Sequence, residues 1–138
     1  MLYHSTHHTA PPVGLKEAIL RSLPPDNGLY MPDVLPVLDM DFWQNLRVRT
    51  FREIGHAVAR AFFAGDVPAS ALDEIVDGTL TFDAPLVTLA PGDHILELFH
   101  GPTLAFKDFG ARTLKNISGN PIGMNFQNSK KLHTIGSS

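Results

Sequence analysis

The stretch ELFHGPTLAFKDFGAR, Glu97 to Arg112, decides how this chain is read. His94 to Phe99 alternates in the manner of a strand, Gly101-Pro102 is a turn, and Thr103 is placed to cap a helix starting near Leu104. Within that helix Lys107 sits between Phe106 and Phe109. A free lysine has a pKa of about 10.4 and is almost wholly ammonium at neutral pH, so it cannot attack a carbonyl. Removal from water among apolar groups penalises the charged form and frees the amine for Schiff-base chemistry. From the residues alone two readings stand. Lys107 is either such a nucleophile, shielded by the two rings, or a snorkelling side chain with its stem on apolar surface and its head in water. Asp108, next in the chain, either orients the amine or pins the loop, although adjacent helix residues do not share a face.

Outward from this stretch, Pro91-Gly92-Asp93 is a turn and Leu86 to Leu89 a short strand. Asp41 to Gly65 carries the most sustained helical period, with Phe51, Ile54, Val58, Ala61 and Phe62 recurring at three and four residues and Gly65 as a stop. Asp66 is expected to cap a further helix with Pro68 in its first turn, running through Leu72, Ile75 and Val76 to about Gly78. Gly14 to Leu23 is a short amphipathic helix, with Leu15, Ala18, Ile19 and Leu23 on one stripe, closed by Pro24-Pro25. Asp26-Asn27-Gly28 is a turn, and Leu29 to Met31 is briefly extended. Residues 1–13 are polar and end in Pro11-Pro12, against helix. Residues 118–138 are rich in Asn, Ser, Gly and Lys without a period and read as a weakly structured tail. The expectation is an α/β chain, mainly helical with short strands.

At 138 residues, 43% apolar, the chain suits one globular domain with a sizeable core. A net charge of -3 offers no basic footprint for nucleic acid or anionic lipid. The absence of cysteine excludes disulfides and thiolate metal sites. No run approaches a membrane span, and MLYHSTHHTAPP is not a secretory signal, so a cytoplasmic location is expected.

The Lys107 stretch resembles the lysine motif of threonine synthases, pyridoxal-phosphate enzymes of fold type II. Tyr3-His4-Ser5-Thr6, the helix LKEAILRSL, the turn DNGLYMP and the segment Ala84 to Leu86 resemble their N-terminal region, so the likeness covers roughly residues 1–114. The resemblance implies a threonine synthase N-terminal domain over 1–93, the start of the cofactor domain, its first strand and helix, over 94–117, and an atypical tail over 118–138. It implies that Lys107 is catalytic and carries pyridoxal 5'-phosphate as a Schiff base. Thr103, Phe106 and Asp108 belong to the same cofactor-binding motif. The implied reaction converts O-phospho-L-homoserine and water to L-threonine and phosphate. A dehydratase of the same fold type is the less fitting relative, because the N-terminal region matches threonine synthases.

Two departures accompany the resemblance. The family commonly has Ser-Thr-Arg where this chain has Ser5-Thr6-His7, exchanging a fixed charge for a titratable one. The family also continues past the lysine helix into a Gly/Ser-rich cradle for the cofactor phosphate. Ser118-Gly119-Asn120 stands at the wrong, C-terminal end of its helix for that task. The chain therefore reads as an incomplete, inactive piece of the enzyme, or alternatively as a non-catalytic interaction module that binds no cofactor. Apolar surface around Leu96, Leu98 and the Phe106–Phe109 helix is expected to be left uncovered. His4, His7 and His8 are read as a solvated or packed terminus rather than metal ligands, since a Pro-flanked segment gives no rigid frame. His56 reads as structural, and His100 as either a cofactor contact or the filling of a strand end.

Overall fold

The computed structural model describes residues 1–119. Its first sheet is built from β1 (Leu2–Ser5), β2 (Val13–Gly14) and β3 (Tyr30–Pro32), all antiparallel in the order β2-β1-β3. Tyr3 stands opposite Val13 on one side and Pro32 on the other. The reading of residues 1–13 as merely non-helical missed that Leu2–Ser5 is the middle strand. Its buried side chains, Tyr3 and Ser5, alternate correctly, but one of them is polar and gives no hydrophobic signal.

α1 (Leu15–Arg21) buries Leu15 and Ala18, while Leu23 of the expected stripe is 55% exposed beyond its end. The long helix expected over 41–65 is divided. α2 (Met40–Gln44) starts at Asp39, whose carboxylate accepts from Phe42 N–H, and it is followed by a 3-10 turn at Leu46–Val48. α3 (Phe51–Phe63) begins afresh with a capping box, in which Thr50 accepts from Glu53 N–H and Glu53 accepts from Thr50 N–H. Those reciprocal bonds satisfy donors that a continuous helix would have spent internally, so the break is locally stable. α4 (Ala69–Thr79) is capped by Pro68 and not by Asp66. Asp66 instead accepts from the Met1 amino group at 3.0 Å, holding the start of β1 against the α3–α4 turn.

α4 is the centre of the helical layer. Ala71, Leu72, Ile75 and Val76 are buried, and the first three pack with Tyr3, Val13, Leu15, Val67 and Ile117. Burying a leucine or isoleucine is worth roughly 1.5–3 kcal/mol, so this cluster fastens the sheet to the helices. Across α3 and α4, His56 stands between Asp73 (3.1 Å) and Asp77 (3.0 Å), with Arg60 on Asp73 at 2.7 Å. These contacts join the two helices at the surface, where ion pairs add little energy. Beneath them an apolar cavity of about 330 Å³ is lined by Ile54, Val58, Leu72, Ile75 and Ile117.

β4 (Leu86–Ala90) and β5 (Asp93–Leu96) form an antiparallel hairpin around Gly92, whose φ of 89° suits the turn. β5 stops three residues short of the expected Phe99, with one further bond from Glu97 N–H to Pro85 O at 2.9 Å. Every residue of both strands is exposed, including Leu86 (64%), Leu89 (65%) and Leu96 (54%); of the apolar surface expected to be uncovered, Leu96 and Phe106 are exposed while Leu98 and Phe109 are half-buried. α5 (Lys107–Gly119) returns to the core, burying Ile117 against α4. It starts three residues later than the sequence indicated and takes in Ser118 and Gly119, which had been assigned to the tail. Residues 120–138 of that tail lie outside the described residues.

Candidate active site

Lys107 opens α5, and the geometry of its loop explains why the helix starts there. Leu104 N–H donates to Gly101 O at 3.0 Å, and Leu104 takes a left-handed φ of 56°, which interrupts helical geometry at the position expected to begin it. Thr103 is therefore not an N-cap. Its N–H and hydroxyl instead both donate to Asp108, at 2.8 Å to Oδ2 and 2.7 Å to Oδ1. Asp108 N–H and Phe109 N–H close turns onto Ala105 O and Phe106 O, at 3.1 and 3.3 Å.

Asp108 is buried at 5% exposure, against the usual habit of carboxylates. The Thr103 hydroxyl, with the N–H groups of Thr103 and Ala105 and the nearby Arg112, holds its carboxyl below the usual range against the opposing cost of desolvation. Gly101 lies against it: a Cβ there would come within 2.7 Å of Asp108 Cβ and 2.8 Å of Phe82 Cζ. Both carboxylate oxygens of Asp108 are thus taken up by Thr103, within the loop.

The rings are arranged otherwise than the sequence suggested. Phe109 turns inward, with centroids 4.7 Å from Phe82 and 6.0 Å from Phe51. Arg112 covers the Phe82 ring at 5.7 Å and donates to Gly78 O at 3.4 Å. Phe106, ahead of the helix, is 65% exposed, and Lys107 is exposed as well. The expected shielding of the amine between two phenylalanines is thus absent among the described residues. The reason is angular: residues two apart on a helix face nearly opposite ways, so packing Phe109 inward turns Lys107 outward. An apolar groove of about 570 Å³ runs beside Phe109, lined also by Trp43, Leu46, Phe51, Leu96 and Leu98.

The other candidates lie apart from this loop. His100 Nε2 is 2.7 Å from Glu97 Oε2, and its ring stacks on Phe99 at 4.9 Å. Ser118 stands eleven residues along α5 from Lys107, roughly 16 Å at the helical rise, and at the negative end of the dipole. His7 Nδ1 is 2.8 Å from Asp26 O. Among the described residues no group of three or more histidines and carboxylates is placed to hold a metal ion.

A feature that sequence reasoning passed over is Asp26, read only as a turn residue. Its carboxylate accepts from Ser5 Oγ (2.6 Å), Thr9 Oγ1 (2.9 Å), and the N–H groups of Thr9, Ala10 and Gly28. The Ser5 hydroxyl is the chief cause, with the other donors, of a carboxyl held well below its ordinary value. The Asp-Asn-Gly turn supplied a signal for the bend but none for partners that far away.

The described residues thus combine two small antiparallel sheets with a helical layer, and Lys107 opens α5. The family described as Threonine synthase N terminus matches residues 2–80, more than half of the chain, and the chain belongs to that family. It is 37% identical over 112 residues to a threonine synthase of Haemophilus influenzae, a match covering 81% of this chain and 26% of that protein. It is 33% identical to the Escherichia coli threonine synthase, covering 84% of this chain and 27% of that one. Among solved structures, a PLP-bound threonine synthase from Brucella melitensis superimposes with a TM-score of 0.76 at 38% identity, covering 85% of this chain and 26% of that one. The Escherichia coli enzyme gives 0.77 at 30% identity. The chain spans about a quarter of the length of these relatives. Among the described residues no helix is long and apolar enough to cross a membrane.

Proposed function

We propose that this chain supplies the N-terminal unit, residues 1–93, and the lysine-bearing start of the cofactor unit, residues 94–117, of a cytoplasmic threonine synthase. Its substrate is O-phospho-L-homoserine, converted with water to L-threonine and phosphate. Lys107 is the attachment point for pyridoxal 5'-phosphate, and the observation carrying this is its position as the exposed first residue of a helix whose next residue is locked inward. The amine fits the cofactor's aldehyde. A phosphate cradle is not supplied by the described residues, since Ser118 and Gly119 close α5 rather than open it. Bound there, the cofactor supplies an electron sink for bonds to the substrate α-carbon. Nζ of Lys107 would hold the cofactor and would be the nearby group able to carry protons. Thr103 and Asp108 hold the loop, and Phe106 offers an exposed ring beside the site.

On this reading the 138-residue chain alone turns over little or no substrate, because catalysis of this kind depends on a pre-organised, water-excluding site and Lys107 stands in solvent. That exposure also favours a second reading, a non-catalytic module that binds no cofactor. The two separate on mixing the chain with pyridoxal phosphate. The first expects a visible absorbance band that Lys107→Ala removes; a band indifferent to that change, or none, leaves the second. Phosphate release from O-phospho-L-homoserine at a rate comparable to the longer enzymes would overturn the expectation of inactivity.

A further inference from the structure

We propose that Thr103 and Asp108 form a positioning clamp that fixes the backbone of Lys107 and thereby sets where its amine can reach, an inference that rests on Lys107 being the attachment point. Asp108 is buried although its neighbour Lys107 is exposed. A carboxylate withdrawn from water must recover its lost hydration from donors. Thr103 provides two, one to each oxygen, at 2.8 and 2.7 Å. The bond pair closes the loop together with the Gly101-Pro102 turn, in which Leu104 N–H donates to Gly101 O. Leu104 must adopt φ 56°, a conformation disfavoured for a branched side chain. Position 101 must lack a Cβ, because one would overlap Asp108 and Phe82. An unfavourable backbone, an obligatory glycine and a buried charge thus meet immediately before one exposed lysine.

The clamp acts through the backbone and touches neither the amine nor a substrate. With Thr103 tied to Asp108, and the N–H groups of Asp108 and Phe109 bonded to Ala105 O and Phe106 O, the peptide units on both sides of Lys107 are held. Phe109, seated between Phe51 and Phe82, fixes the rotation of α5 about its axis. The side-chain torsions of Lys107 remain free, so the amine sweeps a region set by a fixed backbone, on the solvent side of α5.

Thr103→Val keeps the shape and the N–H donor and removes the hydroxyl; Thr103→Ser keeps both donors. The test uses the 138-residue chain with pyridoxal phosphate, borohydride trapping and peptide mass analysis, taking exposed Lys115 as the internal reference. Hydrogen exchange is followed at Asp108 and Phe109, whose N–H groups are bonded, with Leu72–Val76 as the control for folding. Thr103→Val is expected to speed exchange at Asp108 and Phe109 about tenfold and leave Leu72–Val76 unchanged. It is also expected to cut the share of adduct at Lys107, relative to Lys115, about fivefold, with Thr103→Ser restoring both. Unchanged exchange and unchanged share in Thr103→Val overturn the clamp. Faster exchange with an unchanged share overturns its positioning role. A wild-type share at Lys107 no greater than at Lys115 overturns the attachment reading itself, and the positioning role with it.

Discussion

Replacing Phe109 by alanine tests how firmly the lysine helix is joined to the N-terminal unit. A fully buried phenylalanine costs about 3–5 kcal/mol when truncated to alanine. Phe109 is half-buried, which roughly halves that sum, but it holds two ring contacts, with Phe82 at 4.7 Å and Phe51 at 6.0 Å. Aromatic pairing is already part of that truncation figure and sets the expected loss in the upper part of the halved range, about 2–2.5 kcal/mol. For a domain of this size that lowers Tm by roughly 10 °C. Urea unfolding followed by the fluorescence of Trp43, the one tryptophan in the chain, measures it directly. Phe106→Ala is the matched control, because Phe106 is 65% exposed and its removal is expected to change stability by no more than about 0.5 kcal/mol. A Phe109→Ala loss below about 1 kcal/mol, or an equal loss in Phe106→Ala, would refute the assignment of one ring inward and the other outward.

Asp26→Asn is expected to flatten the acid limb of stability. Because the folded carboxyl is held low, chiefly by the Ser5 hydroxyl, its contribution is complete above the unfolded value of about 3.9 and is lost as pH falls through the folded value. Urea titrations below about pH 5 should therefore show wild type losing stability more steeply than the variant, and parallel curves would exclude the role. Leu72→Ala is expected to cost about 3 kcal/mol, since Leu72 is 2% exposed and already borders the 330 Å³ cavity, which limits collapse. Calorimetry reads this as a lowered Tm. Gly101→Ala is expected to cost about 2 kcal/mol by pressing on Asp108 and Phe82, and a neutral result would show that the loop yields.

α4 was legible in the sequence: Leu72, Ile75 and Val76 lie in the helix expected there and are buried. The hairpin strands were legible because Pro91-Gly92-Asp93 marks their turn. The break between α2 and α3 was not read, although Thr50 and Glu53 carry a capping signature, because the apolar period overshadows it. The loop before Lys107 was misread for a different reason. Thr103 is a sound cap by local chemistry, and only the burial of Asp108 beside Gly101 and Phe82 diverts its hydroxyl. The lysine motif marked the position, while the outward direction of its side chain depended on Phe51 and Phe82, residues far back in the chain. Asp26 was invisible as a hub because, Gly28 apart, its partners stand 16, 17 and 21 residues away.

The three-stranded sheet has its earliest segment in the middle. In chain order Leu2–Ser5 precedes both of its neighbours, β2 at residue 13 and β3 at residue 30. Its pairing is complete only when β3 has been made as well. Deleting Leu2–Ser5 would not trim a loose segment: it would pull out the strand that the other two share, leaving them with no partner to bridge.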